Sequence, residues 1–360
     1  MFESKYLTKI GKILGACAFS AMLGSSTIAS AQTPLSIPED YEARTLEAQF
    51  VANGPTLLFS DSPEMVYRTG ILYRDTVQGQ VRLFFHHVNA VPGNKKLVVL
   101  LKNEKLRPVQ YKLVRSGQGG HTYNWMGDGK EAQRQYFSDA EQRQLEGKLG
   151  FGQYVELLTG KGDILKQDEL LTGTLDLELS APTQLTVFMC EPQSDILLFN
   201  DNAPIQPMDE HPLRGTFKNA DWNYAVKKPI DGKEAVKLKL AGSEEGYIKG
   251  VDATTGLPAE NYGNYGVNYR VDFTVKSKQP VSLILNPIGG SFAGYGVLEH
   301  EGKRQLLALP DYAVSLGETI EEAVELAQLK SGKYSFIWSP PGASNLPVEL
   351  IWRSARNSKF

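Results

Sequence analysis

The amino-acid sequence predicts an all-β protein built from two antiparallel β-sandwich-like domains with one or two short helices. Three observations carry that expectation. Apolar and polar residues alternate with period two in several segments, which in a strand places apolar side chains on one face and polar ones on the other. Those segments are short and bounded by Gly, Pro, Asn or Ser. Helical spacing is rare, whereas a parallel sheet would need continuously apolar strands with helices between them.

The first element is a leader. Lys5, Lys9 and Lys12 precede an apolar run from Ile13 to Leu23, and Ala29-Ser30-Ala31 supplies the small residues of a cleavage site. This order predicts a secretory signal over residues 1–31, removed before Gln32. The run falls short of the roughly 20 residues a bilayer span needs, so no transmembrane anchor is expected. Leu14-Gly15-Ala16-Cys17 loosely resembles a lipoprotein box, but Lys12 leaves too little apolar sequence before Cys17.

The chain has 360 residues and a net charge of −3; taking away the leader's three lysines and Glu3 removes +2 and leaves −5 on 329 residues. That length suggests two domains. The charge lacks the basic excess that nucleic acid demands. Processing also separates the two cysteines, Cys17 and Cys190. Cys190 is then expected as an unpaired thiol, packed as a small apolar residue at the end of the strand 185–189.

Along the mature chain, Ser138-Asp139-Ala140-Glu141 reads as a capping box opening a short helix that Gly147 ends. Leu175-Leu177-Leu179 and Leu185-Val187-Met189 read as two strands. Pro204, Pro207 and Pro212 punctuate a polar stretch, so residues 201–212 are read as a linker between domains over 32–200 and 213–360. Val236-Leu238-Leu240 is a further strand. The firmest is Tyr265 to Val275, where Tyr265, Val267, Tyr269, Val271, Phe273 and Val275 alternate with polar residues and Gly266. Residues 319–329 fit either a short helix or an edge strand. Asp-Gly-Lys-Glu-Ala occurs at 128–132 and 231–235 without matching flanks, and Asp-Gly is a favoured hairpin turn.

No constellation points firmly to catalysis, and neither metal nor cofactor is expected. His86 and His87 invite a metal reading, but neighbours in a strand face opposite ways and cannot both chelate one ion. Gly289-Gly290-Ser291-Phe292-Ala293 resembles a degenerate nucleophile elbow, yet no helix pattern follows, so a glycine-rich hairpin is preferred. The tyrosine and asparagine mixture at Asn261-Tyr262-Gly263-Asn264, echoed at Tyr123-Asn124-Trp125, suits sugar recognition: rings pack on apolar sugar faces while amides bond hydroxyls. Asn261, Tyr262, Asn264 and Trp125 are therefore the candidate ligand surface. Ordinary turns with packed tyrosines are the competing reading.

Ser62-Pro63-Glu64-Met65-Val66, Gly70-Ile71-Leu72 and His86-His87, with Arg214-Gly215-Thr216-Phe217, Gly263-Asn264-Tyr265-Gly266-Val267 and Asn286-Pro287-Ile288-Gly289-Gly290, resemble an uncharacterised family of secreted bacterial envelope proteins best represented in cyanobacteria. Ile288 stands where that pattern carries a basic residue. The family has no established activity, so the resemblance implies export and a shared fold only. The expectation is an exported non-catalytic component of the cell envelope, periplasmic, surface-bound or extracellular, with polysaccharide or another envelope protein as partner. The alternative is an envelope-directed hydrolase using loop carboxylates such as Asp128, Asp209 or Glu210, which would stand in a cleft roughly 5 to 9.5 Å apart.

Overall fold

A computed structural model describes residues 32, 34–37, 41–158, 163–310 and 322–355. The expected leader, Cys17 and residues 319–321 lie outside them. The protein is all-β, with 24 strands and two helices among the described residues. Three sheets carry the strands, two of six and one of 12. Most ladders are antiparallel, but the sheets are mixed: Thr56–Ser60, for example, runs parallel to Gly70–Asn89, and Asp221–Val226 parallel to Asn268–Val275.

The large sheet is organised by two long antiparallel strands, Gly70–Asn89 and Leu170–Cys190. The two leucine patterns read as separate strands belong to this one element. A register shift between Leu179 and Thr183 lets the ladder turn a corner at Ser180-Ala181-Pro182 instead of breaking. One half pairs with Val109–Gly120 and the other with Lys95–Lys102. Leu83, Phe85, Leu175 and Leu177 from the first half share a buried core with Leu97, Val99, Leu185 and Val187 from the second. Cys190 ends the strand fully buried, and burial pushes its thiol up to about 11. Native protein should therefore react slowly with a thiol reagent at neutral pH and denatured protein fast; rapid labelling of the native thiol would contradict this packing.

The two six-stranded sheets form a sandwich. Asn268–Val275 buries every second residue, from Tyr269 to Val275, as the alternation requires. Phe273 meets Trp352 of the opposite sheet edge to face, 5.1 Å between ring centroids. Val236–Leu240 shows the same alternation. Ala323–Leu329 is a strand, paired with both Pro34–Leu35 and Val281–Pro287, so it is neither helix nor sheet edge.

The helix expected after Ser138 is not there. Ser138 instead closes the helix Trp125–Phe137, and Leu145–Leu149 is a strand. Asn124 caps that helix by accepting from Gly127 N–H at 3.1 Å. The helix lies so close to Val109–Gly120 that a Cβ on Gly119 would sit 1.9 Å from the Asp128 carbonyl, which explains glycine there. Its other side, Tyr136 and Phe137, packs on Val297 of the sandwich. Asp128-Gly129 is thus helical, whereas Asp231-Gly232 is a bend, so one pentapeptide has two structures.

The described residues from 32 to 355 belong to one compact unit. Sheets cross the expected 201–212 boundary in both directions. Ala48–Asn53 pairs with Asp221–Val226, and Arg44–Thr45 with Val236–Leu240. Arg214–Phe217 in turn joins Thr56–Ser60 in the large sheet. Buried Arg82 ties the parts further, donating to Asp176 on its own sheet and to Asp221 and the Gly266 carbonyl across the join.

Candidate functional site

The segment after strand Leu257–Glu260 is shaped by its asparagines. Asn261 is buried, donates from its amide to the Tyr265 carbonyl at 2.8 Å and accepts from Tyr265 N–H at 3.2 Å. Asn264 adopts φ +54°, a region asparagine tolerates. Its side chain accepts from Ile248 N–H at 2.8 Å and donates to the Gly246 carbonyl and the Tyr269 hydroxyl. Both amides are committed to the fold, so Asn261 and Asn264, expected as ligand-binding groups, serve as scaffold. Tyr269 donates in turn to Glu245 at 2.5 Å, and Tyr224 donates to the same carboxylate at 2.9 Å. Burial raises the Glu245 carboxyl above its ordinary range, against the lowering effect of these bonds.

Between the two buried asparagines, Tyr262 projects outward and is 52% exposed. Tyr247 meets its ring edge to face, 5.5 Å between centroids. Beside it lies an open cavity of about 380 Å³, lined by Lys249, Leu257, Pro258, Glu260 and, at its base, Arg214. Lys249 and Glu260 stand 3.9 Å apart there, supplying a donor and an acceptor next to the ring. Tyr247 and the charged pair were not anticipated; the one available signal was Gly246-Tyr247, a further tyrosine beside glycine. Trp125 opens the helix Trp125–Phe137, is only partly exposed and does not line this cavity.

The hydrolase carboxylates are placed apart in role. Asp128 is buried on the helix and accepts from the Thr122 hydroxyl at 2.9 Å. Asp209 organises the loop 62–64, accepting from the Ser62 hydroxyl and Glu64 N–H, both at 2.8 Å. The Glu210 side chain is 88% exposed beside His211. Burial raises the Asp128 carboxyl, and near Asp209 it also raises Asp61 and Glu64, with neighbouring carboxylates adding to the effect there.

His86 and His87 are both buried and point to different partners. His86 Nδ1 lies 3.0 Å from the Thr172 hydroxyl, which itself donates to the Phe85 carbonyl. His87 Nδ1 donates to the Pro63 carbonyl at 2.9 Å, so its Nε2 accepts from the Ser60 hydroxyl at 2.8 Å. Ser60 is fully buried, which seals this serine-histidine pair from any substrate. Burial pushes the imidazoles down to about 3 and about 4, so both are neutral at physiological pH. Among the described residues no three His, Cys, Asp or Glu side chains cluster as metal ligands. The glycine-rich Gly289-Gly290 is not a hairpin: it links strand Val281–Pro287 of one sheet to Gly294–His300 of the other. A Cβ on Gly289 would come within 2.2 Å of the Leu346 backbone.

No family model matches the sequence, and no curated protein matches it. Among solved structures, similarity is found to oxalate decarboxylase of Bacillus subtilis, with 11% identity, a TM-score of 0.13 and coverage of 84% of this chain and 77% of that one. Oxalate decarboxylase of Lactobacillus farciminis gives 10% identity and a TM-score of 0.16, covering 84% and 87%. An allantoicase gives 10% and 0.15, covering 84% and 90%. At such scores these likenesses bear on no activity. Among the described residues no helix is long and apolar enough to cross a membrane.

Proposed function

We propose that this is an exported, non-catalytic binding component of the cell envelope that holds glycan against Tyr262. The observation that carries the reading is the contrast within one loop: Asn261 and Asn264 are buried scaffold, while the ring between them is half exposed over an open cavity with both apolar and charged lining residues. An aromatic face beside a charged donor and acceptor suits a sugar ring, whose apolar face stacks while its hydroxyls are bonded. Export rests on the leader pattern at residues 1–31, and the envelope assignment also on the family resemblance.

Tyr262→Ala is expected to leave the melting temperature nearly unchanged, since the ring supports little packing, and to reduce retention on cell-wall or polysaccharide material. Pull-down on insoluble polysaccharide, normalised to folded protein, measures this. Retention unaltered per folded molecule, with a melting temperature lowered as far as in Tyr269→Ala, would make the loop a packing element and end the glycan reading.

A further inference from the structure

Strands at the edge of a sheet expose unpaired N–H and C=O groups that pair with other chains unless shortness, charge or proline blunts them. Most edges here are blunted. One six-stranded sheet ends in the two-residue strands Pro34–Leu35 and Arg44–Thr45. The large sheet ends in the three-residue Tyr154–Glu156 and in Leu257–Glu260, which contains Pro258. Its side branch ends in Leu145–Leu149, with Glu146 and Lys148. The other six-stranded sheet ends on one side in Lys303–Leu309, which opens with Lys303 and Arg304.

The opposite edge of that sheet, Ala48–Asn53, differs. It is six residues long, contains neither charge nor proline, and pairs with Asp221–Val226 without a register shift. Lys227 N–H donates to the Glu47 carbonyl, so the ladder's alternation points Gln49, Val51 and Asn53 inward. The N–H and C=O groups of Ala48, Phe50 and Ala52 therefore face out. Phe50 also continues the core's aromatic row, 5.2 Å from Trp222 and 5.1 Å from Tyr224, yet remains 48% exposed at the margin.

We propose that Ala48–Asn53 is a dimer interface, at which the same strand of a second copy pairs antiparallel about a two-fold axis through Phe50. The strand's own sequence argues for a second copy as the occupant. An isologous contact must match each residue to its own mirror position, and the outward set does so: Ala48 meets Ala52, and Phe50 meets Phe50. Gln49 then faces Val51, and Glu47, the nearest charge, faces Asn53, so no like charges are opposed. The half-exposed ring is covered by its counterpart, and the two sheets join into one.

Sedimentation velocity on the purified protein across a concentration series tests this. The wild type should form a dimer that dissociates on dilution. Ala52→Pro removes an outward N–H and leaves the inner ladder intact, so it should be monomeric with an unchanged circular dichroism spectrum. Phe50→Lys places two like charges on the axis and should likewise be monomeric. A wild type that stays monomeric up to its solubility limit, or a dimer that both variants retain with unaltered affinity, overturns the proposal.

Discussion

Tyr269→Ala is expected to destabilise the protein by about 3–5 kcal/mol, the range for truncating a buried aromatic side chain. Tyr269 is fully buried in the sandwich, stacks with Tyr224 at 6.2 Å and packs against Trp338 at 5.5 Å. Its hydroxyl joins Asn264 to Glu245, so truncation also strips partners from a buried amide and a partly buried carboxylate. Chemical denaturation compared with the wild type measures the loss. Tyr269→Phe separates the contributions, because it keeps the ring and removes only the hydroxyl. A Tyr269→Ala variant within about 0.5 kcal/mol of wild type, the range of a surface change, would contradict the packing described here.

Arg214→Ala is expected to cost about 3–5 kcal/mol, because removing one member of a buried ion pair strands the other. Arg214 and Asp252 are both sealed, with side chains 1% and 2% exposed and 3.0 Å apart. The guanidinium also donates to the carbonyls of Leu72 and Gln206, fastening the segment before Arg214–Phe217 to the large sheet. Burial alone would raise the Asp252 carboxyl. Bonds from Thr254 and the Arg214 charge outweigh that and hold it below its ordinary range. A lowered folded value means that the stabilisation is present above the unfolded pKa and is lost as pH falls through the folded one. The deficit of Arg214→Ala should accordingly narrow in acid. Unfolding midpoints at neutral and acid pH read this out, and a deficit constant with pH would detach Asp252 from the effect.

What the sequence revealed followed where burial is one-sided. Asn268–Val275 and Val236–Leu240 alternate because one face meets the core and the other does not, and both were legible as strands. Leu170–Cys190 was legible only in pieces, since Ser180-Ala181-Pro182 resembles a turn while the ladder passes through it with a shift in register. The helix Trp125–Phe137 was hidden by Gly127, Gly129 and an Asp-Gly step. Its stability comes from packing between two sheets, which leaves little periodicity to detect, and Asn124 was the usable signal. In the candidate site, the glycines and asparagines flanking Tyr262 pointed to an exposed ring. They did not show that Asn261 and Asn264 face inward, because most of their partners are backbone groups of residues 246, 248 and 265.

The pairing of residues 44–53 with strands beyond residue 220 bears on how the chain reaches this structure. Loop closure on that scale must be completed before the contacts reward it, and folds dominated by such distant partners assemble on the slow side, in milliseconds to seconds. During synthesis the sandwich cannot finish closing until Val348–Ser354 has left the ribosome, because that strand lies between Val281–Pro287 and Val236–Leu240 in one of its sheets. The large sheet's core, drawn from residues between Leu58 and Met189, has no such wait, whereas the uncharged strand Ala48–Asn53 stays without its partner until Asp221–Val226 has been made.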